Sequence, residues 1–357
     1  LRKVTFPARI GFRREVHRRV DHYFEESNLR KTGDWRMFLK TAIILTLVVV
    51  LYAVLLFLPH TLLTAGLVSF LLAQAFVLVG FNVMHDGGHG SYSPDGRINK
   101  VTGWMADFLG GSQLMWTQKH NILHHTYTNI DGLDDDINTL GLIRMSPNQT
   151  WSPWHRFQHL YALPVYSLLT LTWVTYSDYQ KFFSGRIGDY QLKKPSIGEA
   201  TFFFSAKLCY YGYMLAIPLI FHPLVHVLGV FLFVHLIMGL TFSVVFQLAH
   251  IVEGCEFPEP QKGTGVVENE WAIHQVETTA DFAPNNWFAT WYLGGLNFQI
   301  EHHLFPKICH VHYPALSRIV RETCKEFEIR YIACPSLCSA VAMHYRFLKK
   351  LGQERWA

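Results

Sequence analysis

Residues 62–89 read LLTAGLVSFLLAQAFVLVGFNVMHDGGH: an uncharged, apolar run over Leu62–Met84 that leads without a break into His85-Asp86-Gly87-Gly88-His89. About 20 apolar residues suffice to cross the hydrocarbon core of a bilayer, so the run reads as a membrane-spanning helix. If the helix continues beyond the bilayer, the i, i+4 spacing puts His85 and His89 on one face. A pair of imidazoles at the end of a span is the observation from which the rest of the chain is read.

Three further stretches have the length and composition to span: Thr41–Leu58, Phe202–Phe221 and Leu224–Leu248. Pro59, His60 and Thr61 join the first two spans, and His222 and Pro223 join the last two. These links are so short that they predict two helical hairpins with both tips on one side. Of 357 residues, 50% are hydrophobic and only 16% charged, against about 25% charged in soluble domains. Mean hydropathy is only +0.14, so a large part of the chain meets water.

Lysine and arginine are absent from both tips. They concentrate in residues 1–40, in 85–201 and after residue 249, which by the positive-inside rule faces those parts to the cytoplasm. Lys207, near the start of the third span, is expected to snorkel to the interface. The stretch Leu160–Ser177, with Pro164 inside it, is then expected to lie in the interface or re-enter. Were it to cross, the histidines before and after it would face opposite sides. The net charge of +4 is small and dispersed and gives no argument for nucleic acid. The first forty residues are basic without the apolar core of a signal peptide. The six cysteines show no paired metal pattern and are expected to be ordinary reduced thiols.

The histidines fall into groups. After His85 and His89 comes His120-Asn121-Ile122-Leu123-His124-His125, and then Gln299-Ile300-Glu301-His302-His303. His250 stands two residues past the fourth span. In an α-helix His120 and His124 share a face and His125 points about 100° away, so neighbours on one helix can serve two metals. A single H-x-x-x-H is most often packing or surface; three groups plus His250 on one predicted side point to metal. Neutral imidazole suits zinc, copper, iron and nickel. Eight imidazoles exceed what one zinc takes, and two irons fit the number better. Asp86, Glu301 and the run Asp134-Asp135-Asp136 are candidates to orient ring N–H groups from behind, and Gln299 is a candidate ligand or orienting group. His226 and His235, inside the fourth span, are expected to hydrogen-bond to neighbouring helices; His155, His274, His310, His344 and the other isolated histidines are expected to be structural.

These groups, in this order between paired spans, resemble the membrane fatty acyl desaturase family. Gln299, where many relatives carry histidine, resembles its front-end branch, which desaturates between an existing double bond and the carboxyl end. The segments Asn82–Ser93, Lys119–Ile137 and Asn297–Pro306 are similar to bacterial members of that branch. The resemblance implies that His85, His89, His120, His124, His125, His302 and His303 ligate iron, and that His250 matches an extra histidine after the fourth span. Relatives can add an asparagine one turn before it; here that position is Phe246. Many eukaryotic members carry a fused cytochrome b5 with a His-Pro-Gly-Gly motif. That motif is not in these residues, which implies a separate donor of cytochrome b5 or ferredoxin type with its reductase.

The expected fold is all-α and membrane-integral: two helical hairpins, interfacial helices, and a cytoplasmic cap (85–157 and 249–357) holding a two-metal site, with 1–357 forming one domain. The expected reaction is oxygen-dependent desaturation of an acyl chain presented as acyl-CoA or acyl-lipid. An unactivated methylene offers side chains nothing to polarise, so the chemistry belongs to metal and O2. Hydroxylation or acetylenation on the same scaffold is the near alternative. Metal transport is a remote one, since transporters place polar ligands near the bilayer midplane. The aromatic stretches Val101–Trp116 and Trp287–Phe298 are candidate walls for the acyl chain or interfacial anchors. The resemblance favours a bacterial inner membrane; the endoplasmic reticulum would give the same topology.

Overall fold

The computed structural model describes residues 4–7 and 11–353. Arg2, Lys3 and Arg9 of the basic amino-terminal stretch, and Arg355, lie outside the described residues.

Four helices are long and apolar enough to cross a membrane: α2 (Trp35–Phe57), α3 (Leu62–His89), α7 (Ile197–Phe221) and α8 (Leu224–His250). The 23 residues of α2 rise about 35 Å, enough for a core of about 30 Å. The helices begin and end where capping chemistry dictates, not where the apolar run does. Asp34 accepts from the Arg36 backbone N–H at 2.9 Å and starts α2 six residues ahead of the apolar stretch. Ser196 and Glu199 form a capping box that starts α7 five residues ahead of its stretch. The α3 helix runs on through His89, as the first histidine pair requires. At the tips, a ring nitrogen of His60 lies 2.9 Å from the Val54 carbonyl and one of His222 lies 3.0 Å from the Leu56 carbonyl. The second tip thus leans on the first, at one end of the molecule.

Between the hairpins lie α4 (residues 96–108, broken at Trp104), α5 (residues 113–127) and α6 (residues 158–184, broken at Leu168). The path of α6 is set by a close approach. A Cβ on Gly239 of α8 would lie 2.3 Å from the Ser167 carbonyl oxygen, so only glycine lets the two backbones meet there. Beside it, Thr170 donates to the His235 carbonyl at 2.9 Å. Gly239 stands eleven residues from the His250 end of α8, about 16 Å along the axis and so near half the thickness of a bilayer core. By Lys181 the chain has returned to Asp135, 2.5 Å away. The helix α6 therefore packs against α8 at Ser167–Thr170, is broken at Leu168, and is beside Asp135 by Lys181, with Leu160, Leu163 and Tyr176 exposed along it.

Lys207 does not snorkel. It is buried, donating to Asp178 at 2.7 Å and to the Gly110 carbonyl at 2.7 Å. The partner lies inside the bundle because α6 folds back against α7, which no local pattern at Lys207 announces. His235 is hydrogen-bonded between helices, to Thr170 at 3.0 Å and to Tyr210, whereas His226 is exposed near the start of α8.

A helical cap closes the end opposite the tips: α1 (Phe12–Ser27), α9 (Trp271–Glu277), α10 (Trp287–Tyr292), α11 (Gln299–Leu304), α12 (Tyr313–Glu326) and α13 (Leu337–Gln353). On α1, Phe12, Val16, Val20 and Phe24 recur every fourth residue and are buried with Leu316 and Val320 of α12. Burial of each such side chain contributes about 1.5–3 kcal/mol. Two short strand pairs complete the cap, Arg186–Ile187 with Tyr190–Gln191 and Asp281–Phe282 with Ala333–Cys334. All six cysteines are free.

Candidate metal centre

The histidine groups converge from the α3 end, α5, the α8 end and α11. Two of these segments are wound as π-helix, Gly80–Met84 ahead of His85 and Thr117–His124 around the second group. Such turns insert an extra residue and are frequent at functional sites. The second one alters the expected geometry. His120 and His124 do stack, with ring centroids 5.1 Å apart. His125 is not swung away: the wider turn brings its Nε2 to 3.3 Å from His120 Nε2. Gly88 explains how the first pair reaches the second group, since a Cβ there would lie 2.3 Å from the Trp116 ring.

The eight imidazoles form two adjoining groups. Nitrogens of His85, His89, His120 and His302 lie within 4.8 Å of one another, as do those of His124, His250 and His303. His125 joins them, grouped with both His302 and His303. Within the cluster, five buried ring nitrogens have no hydrogen-bond partner among the described residues: Nε2 of His85, His89, His302 and His303, and Nδ1 of His125. Leaving one polar atom buried and unpaired costs about 1–3 kcal/mol, so several left unpaired in one cluster mark a place for cations. An all-imidazole donor set suits a divalent first-row metal.

Electrostatics agree with neutral, lone-pair-presenting rings. Burial first, and neighbouring imidazoles second, hold His125, His302 and His303 well below the usual histidine range. Burial likewise lowers His120. His124 is the exception: burial would pull it down, but Asp134 and Asp136 outweigh that and raise it. Burial acts against Lys119 too, and Asp136 and Asp135 hold it firmly protonated.

The orienting groups differ in part from expectation. Asp134 does stand behind an imidazole of the cluster, 3.1 Å from His124 Nδ1, and Asp136 lies 3.4 Å from the same nitrogen. Asp86 does not: it accepts from His310 Nδ1 at 2.7 Å and from the Cys309 thiol at 3.0 Å, because it leaves α3 on the side away from the cluster. Glu301 faces the cap, accepting from the Tyr331 hydroxyl at 3.0 Å, with burial and Asp281 pushing it well above the carboxylate range. The orienting groups that sequence reading missed are Gln275, Tyr313 and the Thr278 carbonyl. They lie 2.8 Å from His303 Nδ1, 3.1 Å from His302 Nδ1 and 3.2 Å from His250 Nδ1. Gln275 sits on a seven-residue helix with no periodic signal, and a backbone carbonyl leaves none at all. Gln299 donates to the Leu296 carbonyl at 2.9 Å and faces the cavity. His310, expected to be merely structural, is the partner of Asp86.

Below the histidines opens a cavity. Phe81, Leu109, Trp173, Met238 and Phe242 line its apolar part. Met238 lies twelve residues before His250, so the cavity reaches about 18 Å into the bundle. Of the two aromatic stretches, Val101–Trp116 supplies a wall through Ala106, Leu109, Met115 and Trp116. The stretch Trp287–Phe298 contributes only Leu296; Trp287 and Phe288 point outward, 78% and 57% exposed, as anchors in a headgroup region do.

A cluster of imidazoles at the head of a long apolar cavity is a site for oxidising a hydrocarbon chain, and comparisons with known proteins meet that reading. A family profile described as fatty acid desaturase matches residues 61–335, which hold every histidine of the cluster. The chain is 38% identical to an sn-1 linoleoyl-lipid 6-desaturase of Synechocystis sp., over 98% of both chains. It is 40% identical to an enzyme of the same name from Arthrospira platensis, over 98% of this chain and 95% of the relative. It is 37% identical to an acyl-lipid (8-3)-desaturase of Physcomitrium patens, over 94% of this chain and 71% of the relative. With its spans and its histidine cluster at the head of an apolar cavity, this chain belongs to the fatty acid desaturase family.

Proposed function

We propose that the protein inserts a cis double bond into the acyl chain of a membrane glycerolipid, between the carboxyl end and an existing double bond, using two irons held by the eight histidines. The observation that carries this is the pair of imidazole groups at the head of the cavity. His85, His89, His120 and His302 would hold one iron, His124, His250 and His303 the other, with His125 between them. Bound there, the irons supply the O2 activation and hydrogen removal that no side chain performs. The two hydrogens of the substrate, with two electrons from an external one-electron carrier and two protons, reduce O2 to two waters.

The chain's own residues bind and position. Gln275, Tyr313, Asp134 and the Thr278 carbonyl fix ring orientation from behind, leaving the opposite nitrogens for metal. The apolar walls exclude water and hold the acyl chain at one depth, which matters because neighbouring methylenes differ little in reactivity. The relatives named above act on linoleoyl and other acyl lipids, which supports a lipid-bound substrate over acyl-CoA. The absence of lysine and arginine from both tips supports placing the cap and its histidines on the cytoplasmic face, with the whole chain working as one unit. The test is expression in a host lacking this desaturation, with total fatty acids profiled by mass spectrometry beside His124→Ala and His303→Ala. A new fatty acid two mass units lighter, absent from both variants, is expected; one sixteen units heavier would overturn the assignment.

A further inference from the structure

One wall of the cavity is not apolar. Lys119, Asp136, Asp178 and Lys181 line it beside His120 and His124. Lys119 lies 2.8 Å from Asp136 and 3.4 Å from Asp135, and Lys181 lies 2.5 Å from Asp135. Asp178 is taken by Lys207 at 2.7 Å. Two ammonium groups and two carboxylates therefore balance to zero at this wall. A neutral wall does not call for a free carboxylate or a phosphate; it suits an uncharged dipole. An ammonium group carries three N–H donors, and among the described residues Lys181 has Asp135 as its one hydrogen-bond or ion-pair partner.

We propose that Lys181, with Lys119 beside it, donates to the carbonyl oxygen of the substrate's acyl ester or thioester and so sets which carbon lies beneath the histidines. This rests on the desaturase reading above and deepens it. The geometry gives the direction of the chain. Asp136, which holds Lys119, lies 3.7 Å from His120 Nδ1 and 3.4 Å from His124 Nδ1, so the polar anchor and the metal centre adjoin. The apolar remainder runs the other way, toward Trp173 and Met238. A chain anchored by its carbonyl thus offers carbons near its carboxyl end for oxidation and stores its methyl end in depth. Lys181 is a positioning residue: it touches the ester, not the carbons that react.

The test is the position of the new double bond made by the full-length protein, by Lys181→Met and by Lys181→Gln. Each is supplied with a glycerolipid and, separately, with an acyl thioester. The wild type is expected to give one positional isomer, and the substrate that yields it identifies the source of the carbonyl. Lys181→Met is expected to convert about tenfold less or worse and to give two or more isomers, since misplacement of the chain lowers rate and blurs position together. Lys181→Gln, whose amide still donates, should fall between, and it carries the test alone if Lys181→Met does not fold. A folded variant that yields only the wild-type isomer, however little, overturns the proposal. So does complete loss of product from both variants when thermal midpoint and metal content are kept, which would put Lys181 in the reaction itself. If the wild type desaturates neither substrate, it is the functional reading that fails.

Discussion

Gln275 is buried against His303, its Oε1 2.8 Å from the ring Nδ1 and 3.0 Å from the Thr128 hydroxyl. That contact fixes the tautomer: Nδ1–H donates to the amide oxygen, and Nε2, which has no partner, presents a lone pair to the cluster. Gln275→Met keeps the length of the side chain and removes the acceptor. The ring then keeps only the Thr128 hydroxyl, at 3.3 Å, to hold its orientation. Loss of a group behind a metal-binding histidine typically costs 10- to 100-fold in metal affinity, about 1.4–2.8 kcal/mol. That agrees with the roughly 1–3 kcal/mol for a buried donor left unpaired. Gln275→Glu keeps an acceptor and adds charge, so it should hold affinity at or above the wild-type value. The assay is competition for iron between purified protein and a chromogenic chelator, with the thermal midpoint of each apo variant measured alongside. If Gln275→Met bound iron within twofold of wild type while folding normally, His303 would not be a ligand through Nε2, and the pairing of the second group would be wrong.

Other consequences follow from particular contacts. Gly239→Ala forces a Cβ to 2.3 Å from the Ser167 oxygen and should destabilise the protein by about 1–3 kcal/mol; Gly229→Ala, with open space around it, should leave the thermal midpoint unchanged. Lys207→Met strands Asp178 in the bundle and should cost about 3–5 kcal/mol, with much of that recovered in the Lys207→Met/Asp178→Asn pair, read by thermal unfolding in detergent. Acidification should destabilise the cap: burial lowers His344 to about 4 and His274 to about 3 from 6.5. The unfolded chain therefore takes up these protons first, so their stabilisation is full above pH 6.5 and is lost as pH falls from 6.5 toward those values. A thermal midpoint that stayed flat from pH 7 to 4.5, or a His344→Gln variant with an unaltered slope, would refute this.

The spans and the histidine cluster were legible because both are written locally. Hydropathy needs only a run such as Leu62–Met84, and the i, i+4 and adjacent histidines need only one helix each. What surrounds the cluster was legible only in part. Asp134 lies ten residues from His124 and could be named; Gln275 lies 28 residues from His303 and the Thr278 carbonyl belongs to the backbone, so neither leaves a pattern. Asp86 and Glu301 misled for a related reason. Sitting beside a clustered histidine in sequence, on a helix, turns a side chain away from that histidine's face, and each found its partner elsewhere in the fold. The His125 offset failed because a π turn, which sequence does not declare, changes the angle per residue. Lys207 failed because its partner arrives on α6, a segment whose path is set by distant contacts such as those at Gly239 and His235.

The most direct measurement is the metal content of the purified full-length protein, taken with the double bonds it forms. Two irons per active wild-type chain are expected, with iron and product falling together in His303→Ala and in His85→Ala. Full activity with one metal or none per chain, or with zinc in place of iron, would contradict a di-iron centre.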